Sequence, residues 1–575
     1  MTAAQRPGQG PRQLPKASAA DPEALAGLRA AVEAAWPSAL ARWSRFVMMG
    51  DPEITESLRS VAQIHLGTRL VSLDGPMIIE RGLLDSVEAI LAHEVGHHVR
   101  YPGTLAVSAR LQMIEKSIIA LEDYSLINIF TDLLINEHLG HELRDPLAAV
   151  YRAFHGDIVW ERDPAFLFYL SIYEELWRLE PGALMGPGWT TFAARYPSYR
   201  ADAQLLAQNI FHLGPNLYTQ FLYFLSIVIR YIEPPDGEGL RGADPYDCLY
   251  GEPGPEDWAD ALLPDARERE AVRRAVAEGW LKEAEGNRIT GPDALRRRIA
   301  SLPGQGTQDA SAVPEVMAAY YRQEAERYLL RPPNVATLGE AVVPTTLEDW
   351  EPGDPVQEID WLATLTSRGG QLGAVAPMRR TRIAEVEGYD VPFWQPRIEI
   401  YLDVSGSMPD PRWSHNAMTL AAQILTLGAV RAGGQVRALL YSTANVAYWR
   451  WCQSEVEISR FLMHYIGGGT EYPFDVLQES VDECRRRQPT RAIITDSDFH
   501  HNHEASADAA RIFKEACRAS TLVLLLHNVH ADLAARYRQI GAQVVVVQDM
   551  EDFPRMAVAL ARALFAHQEG QHGAL

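Results

Sequence analysis

Cysteine is nearly absent from this chain. Cys248, Cys452, Cys484 and Cys517 are the only four in 575 residues, and no two form a C-x-x-C pair. That excludes a disulfide framework and fits a reducing compartment, so the expected location is cytoplasmic. Long apolar runs are scarce too. The nearest to a membrane span, 217–232 (LYTQFLYFLSIVIRYI), is shorter than the roughly 20 apolar residues a span needs and carries Gln220 and Arg230. A buried helix is expected there instead. Positive charge is in deficit: 53 Lys and Arg against 75 Asp and Glu leave a formal net charge of -22. Nucleic acid and anionic membranes would be repelled, and a basic partner surface favoured. No G-x-x-x-x-G-K-[ST] phosphate loop occurs, so any ATPase must be a separate protein. Residues 1–20 contain no apolar core of signal-peptide type and are expected to form a disordered lead-in.

What remains is ordinary for a soluble globular protein, 47% hydrophobic and 22% charged, and long enough for several domains. Apolar residues recur at helical spacing over 21–235, the expected first domain. Residues 236–333 turn Pro/Gly/Asp-rich and then charged, which suggests a linker with a small helical insert. Residues 334–395 precede the last region, 396–570, where short apolar runs alternate with amphipathic helices. That alternation predicts a parallel sheet covered on both faces, with strands over 397–402, 435–441, 491–495, 521–527 and 542–548 and one more near 446–452.

Two constellations carry chemistry. His93-Glu94-Val95-Gly96-His97 is an H-E-x-x-H on an expected helix over 83–99, which Tyr101-Pro102-Gly103 should end. Two imidazoles four residues apart share a helix face and suit zinc, while Glu94 is placed to act as general base. A catalytic zinc needs a third protein ligand. Asn128, Asp132 and Asn136 form a polar stripe at i, i+4 and i+8 within an apolar helical stretch over about 107–139. Buried polar groups at that spacing need a partner, and a metal with its outer hydrogen bonds would supply one. Asp132 is the first choice for third ligand and Glu122 the second, with Asn128 and Asn136 as outer partners. His98, His138 and His141 are read as surface or supporting residues. Upstream, 69–73, Asp74-Gly75 and 77–80 predict a β-hairpin along which an extended peptide substrate could pair.

The second constellation is Asp403-Val404-Ser405-Gly406-Ser407 at the end of an expected strand. One carboxylate and two hydroxyls there suit a hard, octahedral ion such as magnesium or manganese. Gly467-Gly468-Gly469-Thr470 and Ile493-Ile494-Thr495-Asp496 add a hydroxyl and a carboxylate. Thr495-Asp496-Ser497-Asp498 departs from the usual Thr-Asp-Gly, so Asp498 could take part or alter the local charge; His500, His501 and His503 are expected in a solvated loop, with metal binding as the alternative.

These motifs carry resemblances. AHEVGHH followed by NIFTDLLINEHL resembles the predicted bacterial metallopeptidases fused to von Willebrand factor A domains. The match rests on the H-E-x-x-H and on Asn128-Ile129, Asp132 and Ile135-Asn136. Asp403, Ser405, Ser407, Thr470 and Asp496, in order and strand context over about 396–565, resemble the metal-ion-dependent adhesion site of von Willebrand factor A domains. Residues 349–361 (DWEPGDPVQEIDW) look like the segment that precedes such domains in proteins working with MoxR-type AAA+ ATPases; Trp350 replaces the family's Tyr and Gln357 its Arg. A simpler reading is that this segment packs to bury Trp350 and Trp361.

Together these imply a multidomain α/β chain: a helix-rich, zincin-like N-terminal domain with a small β-hairpin, and a C-terminal Rossmann-like, doubly wound von Willebrand factor A domain. The expected function is a zinc metallopeptidase acting on a protein or peptide substrate, joined to a magnesium-dependent binding module. That module would accept an acidic residue of a partner, with a MoxR-type ATPase as a further partner. The alternative is a non-enzymatic adaptor whose zinc site is structural or inactive.

Overall fold

Apolar residues at 3.6-residue spacing wind most of the first three hundred residues into helices, and period-2 or continuous apolar runs make the strands that follow. The structure, a computed structural model, describes residues 22–56, 58, 60–119, 125–155, 164–232, 251–302, 312–329, 335–337, 343–367, 376–383, 388–390, 396–485 and 487–559. Glu122 and the expected lead-in lie outside them. The chain divides into two units, Met1–Gln323 with Pro409–His415, and Glu324–Met408 with Asn416–Leu575.

The first unit contains α1 (Pro22–Ala41), β1 (Glu53–Thr55), β2 (Ala62–His65), β3 (Leu70–Asp74), α2 (Gly75–Glu80), α3 (Val87–Val99), α4 (Leu105–Ile118), α5 (Ile127–Ala153) and α6 (Pro164–Leu176). α7 (Trp189–Arg195), α8 (Tyr199–Asn209), α9 (Leu217–Val228), α10 (Pro255–Leu262), α11 (Ala266–Ala277), α12 (Glu283–Thr290) and α13 (Ala294–Ala300) follow, and the division between units falls within α14 (Ala312–Glu326). α3 is the central helix, with every residue from Ala89 to His97 buried. Leu28, Val32, Trp36 and Ala39 of α1 are buried in the same core. The apolar run at 217–232 is indeed a buried helix: Phe221 and Phe224 of α9 pack tilted against Phe130 of α5, with centroids 4.9 and 5.4 Å away. Each such buried aromatic contributes roughly 1.5–3 kcal/mol through removal of apolar surface from water. No helix among the described residues is long and apolar enough to cross a membrane.

Two expectations need correction. The run at 77–80 is not a strand. Asp74 caps α2 by accepting from the Met77 amide (2.8 Å), and Pro76 stands in its first turn, where a missing N–H costs nothing. The hairpin lies one element earlier, where β2 pairs antiparallel with β3 (Ala62 opposite Leu73). β1 takes the other edge of β3 in parallel, so β3 is a central strand with no free edge for a peptide. The helical stretch expected over 107–139 is also two helices, α4 and α5, rather than one.

The second unit has two small antiparallel pairs, β4 (Val335–Thr337) with β7 (Gly388–Asp390), and β5 (Val343–Asp349) with β6 (Met378–Ile383), and the short helix α15 (Trp361–Ser367). Its core is a six-stranded sheet in the order β10-β9-β8-β11-β12-β13. These are β8 (Arg397–Asp403), β9 (Gln435–Tyr441), β10 (Asn445–Cys452), β11 (Thr490–Thr495), β12 (Leu522–His527) and β13 (Gln543–Val547). All neighbours are parallel except β10, which runs antiparallel to β9 at the edge. Helices α16 (Ala417–Arg431), α17 (Glu455–Phe461), α18 (Phe474–Glu483), α19 (Phe499–Glu504), α20 (Ala507–Ala519) and α21 (Ala531–Ile540) make the connections. This is the doubly wound arrangement. Its strand order reverses between β8 and β11, so a crevice opens at their carboxyl ends, where such sheets bind ligands.

Two smaller expectations also change. His500, His501 and His503 sit on α19 rather than in a solvated loop, and His503 is buried against Phe499, Phe513 and Tyr537. Trp361 is not buried by its segment: it is 53% exposed, next to Leu362 at 74%.

Candidate metal centre

α3 ends where its sequence says it should: Arg100 closes it, and Gly103, at φ +83°, returns its amide to the His97 carbonyl at 2.9 Å. Gly96 sets how closely the helix packs. A Cβ there would clash with the Trp43 ring and stand 3.0 Å from Ile135 of α5. Close approach of α3 to α5 brings His93 and His97 against Asp132. All three side chains have zero exposed surface, as do Glu94 and Asn136.

His93 Nδ1 lies 2.7 Å from Asn136 Oδ1, and His97 Nδ1 lies 2.8 Å from the Tyr101 carbonyl. Both acceptors place the ring proton on Nδ1, an assignment made from the partners. Each Nε2 then presents a lone pair, and the two Nε2 atoms are 3.2 Å apart. Asp132 Oδ1 lies 3.2 Å from His97 Nε2 and 3.5 Å from His93 Nε2 and has no hydrogen-bond partner. Its other oxygen accepts from Asn128 Nδ2 at 3.3 Å. Two lone pairs and a carboxylate oxygen facing one point repel one another unless a cation or a proton stands between them. Ligand atoms about 2.0–2.1 Å from a tetrahedral ion are roughly 3.3 Å apart. The separations of 3.2, 3.2 and 3.5 Å meet that requirement. The charge environment agrees: burial disfavours charge on Asp132, but the two histidines hold its carboxyl below the usual range. Burial would likewise depress His93, yet Asp132, Glu94 and Asn136 outweigh it and raise its pKa.

The cluster is therefore a buried His, His, Asp set spaced as a metal site. The other imidazoles stay outside it: His138 stacks on Trp43 and His141 is exposed beside Glu137. Sequence reasoning missed three tyrosines. Asn136 Nδ2 donates to Tyr151 Oη (3.0 Å) and Tyr173 Oη (2.9 Å), and Tyr169 Oη lies within 2.9 and 2.7 Å of these two. The i, i+4 pair Tyr169/Tyr173 in a largely apolar helix was the available signal.

In the second unit, Asp403 ends β8 and Asp496 follows β11, on either side of the crevice. Asp403 Oδ1 accepts from the Ser405 amide (2.9 Å) and Oδ2 from the Thr495 hydroxyl (2.8 Å). Ser405 and Ser407 hydroxyls are 3.1 Å apart, and Ser407 donates to Asp496 at 3.0 Å. Burial, with Asp496 nearby, pushes the Asp403 carboxyl up. The glycine loop is held alongside: the Gly406 amide donates to the Gly468 carbonyl (2.7 Å) and the Gly467 amide to Val404 (3.0 Å). Thr470 is fixed through its carbonyl, which accepts from Asn502 at 2.8 Å. Asp498 points outward. Asp403, Ser405, Ser407 and Asp496 are thus joined in one hydrogen-bonded set.

No protein-family model matches the chain, and no curated protein does. Solved structures show slight similarity. A von Willebrand factor type A protein from Catenulispora acidiphila is 16% identical over 29% of this chain and 42% of its own, with a TM-score of 0.23. An aerotolerance-related membrane protein from Bacteroides fragilis is 11% identical over 29% of this chain and 99% of its own, with a TM-score of 0.21. The RO (RSR) protein of Deinococcus radiodurans is 14% identical over 82% of this chain and 93% of its own, with a TM-score of 0.21.

Proposed function

We propose that the first unit is a zinc-dependent peptidase and the second a magnesium-dependent protein-binding module of the von Willebrand factor A type. The observation that carries the first part is the spacing of His93 Nε2, His97 Nε2 and Asp132 Oδ1, which fits one tetrahedral ion. A zinc ion held there would supply Lewis acidity toward a water and a peptide carbonyl. Glu94, adjacent to His93 on α3, takes the proton from the attacking water and passes it to the departing amine as the C–N bond breaks. Asn136 and the Tyr101 carbonyl keep the two imidazoles in the ligating tautomer.

Zero exposure at Glu94 and the three ligand-type side chains favours a second reading, in which the metal holds α3 to α5 and the protein acts as an adaptor. The second unit serves either reading: Asp403, Ser405, Ser407, Thr470 and Asp496 would hold the ion that a partner's Asp or Glu completes. The exposed Trp361 and Leu362 offer contact for a MoxR-type ATPase.

Metal content and peptide hydrolysis, measured on wild type beside Glu94→Gln, separate the readings. Zinc retained with hydrolysis lost supports the peptidase. Zinc retained in both, with no hydrolysis of a degenerate peptide library by wild type, supports the adaptor.

A further inference from the structure

Behind His93 the protein buries more hydroxyl than an apolar core needs. Tyr151 of α5 and Tyr169 and Tyr173 of α6 are each fully buried, and their three oxygens meet around the Asn136 amide. We propose that Tyr151, Tyr169 and Tyr173 form a positioning unit that fixes the orientation of the Asn136 amide and so sets metal affinity at His93. This rests on the reading of His93, His97 and Asp132 as metal ligands.

Counting protons gives the reason. With Oδ1 toward His93, the two amide N–H groups of Asn136 serve Tyr151 and Tyr173. Each of these hydroxyls then gives its own proton to Tyr169, whose oxygen has two lone pairs to receive them. All four contacts carry a proton, Tyr169's own proton is left for a further partner outside the set, and His93 Nδ1–H has its acceptor. With the amide reversed, Tyr151 and Tyr173 give their protons to Oδ1, and Tyr169 has one proton for two oxygen neighbours. An amide N–H would then face His93 Nδ1, moving the ring proton to Nε2 and removing the lone pair a metal needs. The tyrosines therefore select the ligating state from a distance, without touching the metal ligands' donor atoms.

The test uses the full-length chain. Zinc affinity is read by competition with a chromophoric chelator, and cobalt(II) absorption bands report the ligand field. The Tyr151→Phe/Tyr173→Phe double variant is expected to weaken zinc binding about ten-fold and to shift the cobalt bands, as loss of outer hydrogen bonds does. Asn136→Leu should lose at least as much. Asn136→Asp should recover most of the affinity, because a carboxylate can only accept and so keeps the proton on His93 Nδ1. A merely structural role predicts that Asn136→Asp does no better than Asn136→Leu, and that result overturns the proposal. Wild-type affinity and cobalt bands in the double variant, with binding abolished in His93→Ala, also overturn it. Zinc binding that survives His93→Ala refutes the metal reading itself, and the proposal with it. If the double variant fails to fold, the Asn136 pair decides alone.

Discussion

His93 Nε2 and His97 Nε2 stand 3.2 Å apart, each with its Nδ1 already engaged by an acceptor. That pairing is unfavourable for two neutral rings alone and favourable around a cation. Purified protein is expected to hold one zinc per chain. His93→Ala, His97→Ala and Asp132→Ala should each abolish it, while Asp403→Ala leaves it intact. Elemental analysis checks this, and zinc unaffected by Asp132→Ala would remove Asp132 from the site.

Asp403 is linked to Asp496 through Ser405 and Ser407, by the Ser405 amide and the two hydroxyls. Magnesium should raise the melting temperature by several degrees, since an ion that binds only the folded state stabilises it. Asp403→Ala should lose that response without losing zinc. A calorimetric titration showing equal magnesium response in both proteins would contradict the site.

Glu115 gives a pH dependence. Burial pushes its carboxyl from 4.5 up to about 7, against smaller opposing effects from the Leu126 amide, Ser125 and Lys116. Because the folded pKa is the higher one, the folded state binds more protons than the unfolded state between these values. Stability therefore falls as pH rises from about 4.5 to 7, by on the order of 3 kcal/mol from this group. Glu115→Gln keeps an acceptor for Leu126 (2.5 Å in the native pair) and should flatten that part of the profile. Parallel melting curves for the two proteins from pH 5 to 8 would refute it.

Glu399, on β8, accepts from Arg437 (2.8 Å), Arg491 (3.1 Å), Ser480 (2.6 Å) and Tyr401 (3.0 Å), and both arginines are fully buried. Glu399→Leu removes the buried carboxylate both guanidinium groups share, leaving Arg437 with Glu483 and Arg491 with neutral partners only, and should cost about 3–5 kcal/mol in urea denaturation. A loss below about 1 kcal/mol would mean that water enters and solvates them.

Trp361 and Leu362 should behave oppositely. Their exposure predicts that replacing both with Ala leaves the melting temperature almost unchanged. The same change should weaken capture of a MoxR-type ATPase, measured by surface plasmon resonance with the purified partner.

The doubly wound sheet was legible almost to the residue because buried parallel strands are continuous apolar runs between helices. Leu522–His527 is the clearest case. The stripe Asn128, Asp132, Asn136 was legible because polar residues at i+4 spacing stand out within α5. The run at 77–80 misled because three apolar residues, Met77, Ile78 and Ile79, fit strand and helix equally. The decisive signals were the cap at Asp74 and the proline at 76. The tyrosine unit was hidden for another reason. Tyr169 and Tyr173 belong to a largely apolar helix, and only the fold brings the Tyr173 oxygen to Asn136 and the Tyr169 oxygen to Tyr151 and Tyr173.

One consequence concerns time rather than affinity. An ion enclosed by His93, His97 and Asp132, none with any surface in contact with solvent, can leave only when α3 and α5 part. A chelator would then strip it at the rate of that opening, whatever the chelator's own strength. Exchange with a chelator or with cobalt(II) would then need an incubation long enough for many such openings.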